Sequence, residues 1–305
     1  MNAITRIGFI GLGVMGGPMC ANLARKSALP VHAFDMSKEA LAEAVANGVT
    51  AEASPTAVAR AADIVFLSLP SIDQVESVCA ELASAGERLR TIVDMSTSDV
   101  ARTRALAQKL GERGITLIDA PVARTREAAV KGTLMISVGA TEADFAAVQP
   151  LLALMGSDVL HCGPVGNGQT IKILNNMLVF MTVNALSEII TLGRRAGFDG
   201  ETLFSLLSKG SADSFVLRNH GMKSLVPDSF PEKVFPLVYA IKDAGLALNL
   251  AAEAGFEPHI ANYTYDLMCR ARDAGFGQNY HPAIVQLVDG RVGSPAPQRH
   301  VSEPD

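Results

Sequence analysis

No cysteine pair or cluster organises this chain. Its four cysteines, Cys20, Cys79, Cys162 and Cys269, show no C-x-x-C or Cys/His spacing, so neither a disulfide framework nor a zinc site is indicated, and a reducing compartment fits them. Positive charge is not in excess either. With 26 Lys and Arg against 31 Asp and Glu the net charge is -5, which gives no electrostatic reason to bind nucleic acid. The longest apolar run, Met177 to Leu186, is interrupted by Asn184 and too short to span a bilayer. The N-terminus passes into an apolar strand without the charged, apolar and cleavage regions of a signal peptide in order. These absences predict a soluble cytoplasmic protein whose partner is a small molecule, with neither nucleic acid nor membrane involved and no metal required.

At 305 residues the chain suits two domains, each able to bury a core. Its first half alternates strand and helix. Strands are expected at Arg6 to Ile10, Val31 to Phe34, around Thr50, at Ile64 to Leu69, Thr91 to Asp94, Thr116 to Asp119, Leu134 to Val138 and Val159 to His161. Helices fill the intervals, including Val100 to Arg113 and Glu142 to Met155. Such alternation predicts an α/β Rossmann fold with a doubly wound parallel sheet over residues 1–165. From 166 to 290 the pattern is all-helical, and the Ser- and Pro-rich stretch 291–305 reads as a disordered tail.

The first strand feeds directly into Gly11-Leu12-Gly13-Val14-Met15-Gly16, after which a helix can begin. In this setting the first glycine makes the turn, the second lets backbone approach a pyrophosphate, and the third lets helix pack on strand. Asp35 closes the second strand, where a carboxylate can accept the adenosine ribose hydroxyls. It would repel the extra phosphate of NADP, and no arginine follows it, although Lys38 lies nearby; NAD is expected, with NADP the lesser choice. At the carboxyl ends of later strands, Leu69, Pro70, Ser96 and Thr97 are further candidate cofactor contacts.

A second glycine-rich turn, GPVGNGQTIKILNN from Gly163 to Asn176, opens a helix with no strong breaker before Gly193. Lys172, Asn175 and Asn176 fall at i, i+3 and i+4, so one ammonium and two amides share a face amid apolar residues. Lys242-Asp243 opens another apolar-periodic helix.

These motifs resemble the β-hydroxyacid dehydrogenase family, which includes 3-hydroxyisobutyrate dehydrogenase and tartronate semialdehyde reductase. IGFIGLGVMG, the DAPV...GTL segment from Asp119 to Leu134, G-x-x-G-x-G-x-x-x-K-x-x-x-N from Gly163 to Asn176, and the KD at Lys242 occur in the family's order over nearly the whole chain. The resemblance implies that Lys172 is the catalytic acid/base, that Asn176 helps to position substrate, and that Lys242 lies near nicotinamide and substrate. It also implies homodimers or homotetramers formed through the helical domain. One departure concerns substrate. Where relatives carry Ser-Gly-Gly after DAPV, this chain has Ala123-Arg124-Thr125, similar to the Gly-Arg-Thr of sulfolactaldehyde reductases, but Val179 stands where those members have serine.

The chemistry expected is reduction of an aldehyde, or its reverse, with Lys172 giving or taking the oxygen-bound proton. For that its pKa must fall from the ordinary value of about 10.4, which burial among Ile171 and Ile173 beside a cationic nicotinamide would promote. The substrate is expected to be a small 3-hydroxy acid or related anionic primary alcohol. An alternative is sulfolactaldehyde or succinic semialdehyde, with Arg124 on the distal anion. A decarboxylating 6-phosphogluconate dehydrogenase is disfavoured by the short helical half, and imine reductases usually lack the lysine. A non-catalytic dinucleotide sensor would have no need of Lys172 beside asparagines.

Overall fold

The computed structural model describes residues 4–85, 88–232 and 234–292. It forms two compact units, Met1–Leu174 and Asn175–Asp305. The division lies inside a helix whose first turns, expected with the helical half, belong to the first unit.

Six parallel strands carry that first unit: β1 (Ile7–Ile10), β2 (Val31–Phe34), β3 (Thr50–Ala51), β4 (Ile64–Leu67), β5 (Thr91–Asp94) and β6 (Thr116–Asp119), in the order β3-β2-β1-β4-β5-β6. Between them run α1 (Gly16–Lys26), α2 (Lys38–Ala46), α3 (Pro55–Ala61), α4 (Ile72–Ala83) and α5 (Val100–Gly111). Strand parity decides which helices meet which face. Ile7, Phe9, Ile64, Phe66, Val93 and Ile118 join one buried cluster with Met19 and Leu23 of α1. Their neighbours Ile10, Val65, Leu67, Ile92 and Leu117 join another with Val58 of α3, Cys79 of α4 and Leu106 of α5. The sheet is therefore doubly wound, and strand order reverses between β1 and β4, where a ligand crevice belongs.

The alternation does not continue as one parallel sheet after β6. Pro121 has no N–H to donate to a ladder, and the chain instead starts a second sheet. There β7 (Val122–Ala123) pairs antiparallel with β8 (Leu134–Val138), and β8 pairs parallel with β9 (Gly156–His161). Two helices flank it: α6 (Arg126–Lys131), which periodicity did not predict, and α7 (Glu142–Leu152). The latter ends before Met155 because Met155 O accepts the Leu134 N–H at the start of β8.

α8 (Asn167–Arg195) follows, 29 residues long and by length and composition sufficient to cross a membrane. Its buried residues Phe180, Val183 and Ile190 are core residues of the helical unit. That unit continues with α9 (Gly200–Leu207), a π-helical stretch Leu217–Leu225 where an α-helix was expected, α10 (Leu237–Glu253), α11 (His259–Ala271), a second π-helical stretch Arg272–Phe276, and α12 (Val285–Val288). Of the expected disordered tail, residues 293–305 lie outside the described residues. Arg291, at its start, makes ion pairs with Asp228 and Asp289.

Candidate active site

At the end of β1, Gly11 has φ +92°, and a Cβ there would stand 2.2 Å from Ser68 O. Gly16 is as confined: a Cβ would lie 1.9 Å from Gly11 O. Around Gly13, by contrast, a Cβ would meet nothing within 4 Å, so the turn presents open space at the one glycine assigned to the pyrophosphate. The helix that follows is built to match. Helices α2 to α7 each have a Ser, Asp or Thr side chain on an N-terminal N–H, whereas α1, entered through Met15, has no side-chain cap. Uncapped N–H groups at a helix start are anion donors.

Asp35 sits at the end of β2. Its Oδ2 accepts the Leu12 N–H at 2.6 Å and its Oδ1 the Ser37 N–H at 2.7 Å, so this carboxylate holds the glycine turn and keeps lone pairs for ribose hydroxyls. Val14 and Met36 are exposed and Leu12 is buried. Across the crevice Leu69 N–H donates to Ser96 Oγ at 2.9 Å, tying the loops after β4 and β5 together; Pro70 is exposed and Thr97 partly buried beside them. These features fit a dinucleotide: the cradle would hold its pyrophosphate and Asp35 its ribose.

The start of α8 is fixed by a residue 50 positions earlier in the chain. Asp119, fully buried at the end of β6, accepts the Gly166 N–H at 2.7 Å and the Gln169 N–H at 2.8 Å, one on each oxygen. Burial pushes its carboxyl up to about 6 despite those bonds, and buried Asp94 adds to the rise. The fit leaves no spare room, since a Cβ on Gly168 would stand 2.4 Å from Ser137 O and 2.8 Å from Asp119 Oδ2. Gln169, also fully buried, accepts the Ser98 N–H at 3.0 Å and donates to Ser96 O at 2.9 Å. Lys172 follows within one turn, partly buried; of its neighbours Ile173 is buried and Ile171 is 42% exposed. Sequence reasoning singled out neither Asp119 nor Gln169 as site residues; Asp119 stood inside a recognised motif, but its partners are distant in sequence.

In the helical unit Asn175 Nδ2 donates to Asn176 Oδ1 at 3.1 Å, and Asn176 Nδ2 donates to Asp243 Oδ2 at 2.7 Å. Asp243 is buried, and Lys242 Nζ lies 2.9 Å from its Oδ1. Asp243, which sequence reasoning did not single out, thus orients the Asn176 amide and sits against Lys242.

In the turn after β7 the structure gives Ala123, Arg124 and Thr125 distinct tasks. Ala123 pairs with Met135, and Thr125 Oγ1 caps α6 through the Ala128 N–H at 3.4 Å. Arg124 has φ +87°, a left-handed conformation that favours glycine. Its guanidinium donates to Thr133 O at 2.6 Å, Ser157 Oγ at 2.8 Å and Asp158 Oδ2 at 2.6 Å, on an exposed edge of the second sheet.

A glycine turn with open space at Gly13, an uncapped α1 start and a carboxylate after β2, all beside the β1/β4 switch point, fit a dinucleotide-binding domain. Comparison with known proteins gives the family. The family model described as the NAD binding domain of 6-phosphogluconate dehydrogenase matches residues 6–163, and that described as the NAD-binding of NADP-dependent 3-hydroxyisobutyrate dehydrogenase matches residues 166–288. A 2-(hydroxymethyl)glutarate dehydrogenase of Eubacterium barkeri is 34% identical over 96% of this chain and 98% of its own. A 2-hydroxy-3-oxopropionate reductase of Escherichia coli (strain K12) is 33% identical over 93% and 97%. Among solved structures, Mycobacterium tuberculosis 3-hydroxyisobutyrate dehydrogenase with L-serine superposes with a TM-score of 0.86 at 28% identity, covering 94% of this chain and 99% of that one. The chain belongs to the β-hydroxyacid dehydrogenase family, and NAD is its cofactor.

Proposed function

We propose that the enzyme interconverts a small 3-hydroxy acid, or a related anionic primary alcohol, and its semialdehyde, with Lys172 moving the proton on the reacting oxygen. The observation that carries this reading is the anchoring of the α8 start. Asp119 holds the start of α8 at the end of β6, Gln169 ties it to the Ser96–Ser98 loop, and Ser96 in turn holds Leu69 on the cofactor side. Bound NADH supplies the hydride. Lys172 gives a proton to the aldehyde oxygen in reduction and takes the hydroxyl proton in oxidation. One helical turn further, the Asn176 amide, oriented by Asp243, offers a neutral polar partner that does not titrate. A dehydrogenase panel over 3-hydroxyisobutyrate, glycerate, 4-hydroxybutyrate, 2-(hydroxymethyl)glutarate and dihydroxypropanesulfonate tests the substrate class. NAD reduction with at least one member is expected; inactivity with all of them contradicts the assignment.

NAD is expected to be preferred to NADP by at least about tenfold in kcat/KM, or about 1.4 kcal/mol. The reason is Asp35: its carboxylate would face the additional phosphate, and exposed Met36 offers it no positive charge. Equal efficiencies with the two dinucleotides would remove Asp35 from cofactor selection.

Arg124 carries a second reading of the substrate. Exposed ion pairs such as that with Asp158 contribute about 0–1 kcal/mol, whereas charge-assisted bonds contribute about 1.5–3 kcal/mol. A distal carboxylate or sulfonate would compete with Asp158 for the guanidinium. Glycine is the informative replacement, because it suits the observed φ. Arg124→Gly is expected to lower kcat/KM roughly 10- to 100-fold for substrates with a second anion, mainly through KM, and to leave the others within about threefold. An equal change for both classes would assign Arg124 to the sheet edge alone.

We also propose that copies of the chain associate through the helical unit in the cytoplasm, where four free thiols are at home. Leu178, Ala185, Ile189 and Leu192 form an exposed apolar row along α8. Size-exclusion chromatography with light scattering on a soluble cell extract should find activity at dimer or tetramer mass; active monomer, or activity confined to the membrane pellet, contradicts this.

A further inference from the structure

We propose that Gln169 and Asp119 are positioning residues for Lys172, coupling its placement to the loop that borders the cofactor; this rests on the reading of Lys172 as the proton carrier. Neither side chain is spent on general packing. Both are polar, both are fully buried, and their side-chain hydrogen bonds end at the α8 start or at the loop after β5. A buried polar group is retained only when its bonds are satisfied, and a satisfied network rigidifies what it touches.

The two residues act on different degrees of freedom. Asp119 receives the Gly166 and Gln169 N–H groups, one on each carboxylate oxygen, which fixes where along its axis the helix begins. Gln169 faces the loop with both ends of its amide: Oε1 accepts from Ser98 N, and Nε2 donates to Ser96 O. That pair of opposed bonds fixes how the first turn is rotated. The loop cannot yield easily, because Asp94 Oδ1 accepts the Ser96 N–H at 2.9 Å and Asp94 Oδ2 the Ser98 hydroxyl at 3.0 Å. Ser96 Oγ passes the same constraint to Leu69. A lysine side chain is long and flexible, so the rigidity of its backbone anchor determines how narrowly its amine can be aimed.

The test is a double-mutant cycle with a cofactor-binding control. Gln169→Met keeps the side-chain length and removes both bonds; Asp119→Asn keeps the shape and one acceptor. Each is expected to lower kcat roughly 10- to 100-fold, the cost of misplacing a catalytic group by about 1 Å. KM and the NADH dissociation constant, measured by fluorescence, should stay within about threefold. Combined with Lys172→Ala, neither change should lower kcat further, because both act through the lysine. If Gln169→Met fails to fold or to bind NADH, Asp119→Asn alone decides. A kcat within threefold of wild type, or an additional loss of more than threefold in the double variant, overturns the proposal. Lys172→Ala with full turnover would instead overturn the reading beneath it, so the two failures are distinct.

Discussion

Replacing Lys172 with alanine should lower kcat by roughly 10² to 10⁴, the usual contribution of a positioned acid/base, and leave NADH affinity within about threefold. The two effects separate because the groups do. NADH is expected to bind at the Gly11 to Gly16 turn, the uncapped start of α1 and Asp35, whereas Lys172 stands in the first turns of α8, after the Asp119 and Gln169 anchors. Folding should survive, since Lys172 is only partly buried and alanine is a good helix former. Lys172→Arg is informative as well. It keeps a cation but cannot cycle its proton near neutral pH, so it should be nearly as inactive as alanine. Steady-state kinetics with fluorescence titration of NADH measures both quantities. Turnover in Lys172→Ala within tenfold of wild type would sink the assignment.

The second large effect concerns the glycine turn, where two substitutions of the same size should fail for different reasons. Gly11→Ala forces a side chain into a left-handed backbone position and against Ser68 O at 2.2 Å, so it should destabilise the fold by about 3 kcal/mol or more. Gly13→Ala meets no atom of the protein within 4 Å and should leave the melting temperature nearly unchanged. Yet it places a methyl group where the pyrophosphate approaches backbone, and NADH affinity should fall roughly 10- to 100-fold, or about 1.4 to 2.8 kcal/mol. Calorimetry of the two variants, with and without NADH, distinguishes the cases. A Gly13→Ala protein that binds NADH like wild type would mean that the open space at Gly13 is not the phosphate site.

Much of this architecture was readable from spacing because its causes are local. Short apolar runs, the Gly11 to Gly16 turn and a carboxylate at the end of the second strand pointed to a nucleotide-binding sheet. What escaped was either too short to have a period or held by bonds between distant residues. β7 has two residues and α6 six, so neither offers an apolar repeat. After Pro121 the chain starts a mixed sheet, with β7 antiparallel and β9 parallel to β8, and the π-helical stretch Leu217–Leu225 carries the same apolar content as an α-helix would. Among the candidate site residues, Lys172, Asn175 and Asn176 were visible as i, i+3 and i+4 on one helix. Their supports were not: Asp119 reaches Gln169 across 50 positions, Gln169 reaches Ser96 across 73, and Asp243 reaches Asn176 across 67. Nor could the sequence reveal that Arg124 turns to Asp158, since that pairing requires β7, β8 and β9 to lie side by side.

The central claim, that Lys172 carries the proton, is tested most directly by chemical rescue of Lys172→Ala with small primary amines during oxidation of the preferred hydroxy acid by NAD. Methylamine and ethylamine are narrow enough for the space vacated by the lysine side chain. The predicted result is a rise in kcat/KM of at least about tenfold, linear in free amine, as general base catalysis requires. A rate that responds to no amine, or that rises equally with an alcohol or a salt at the same concentration, would contradict it.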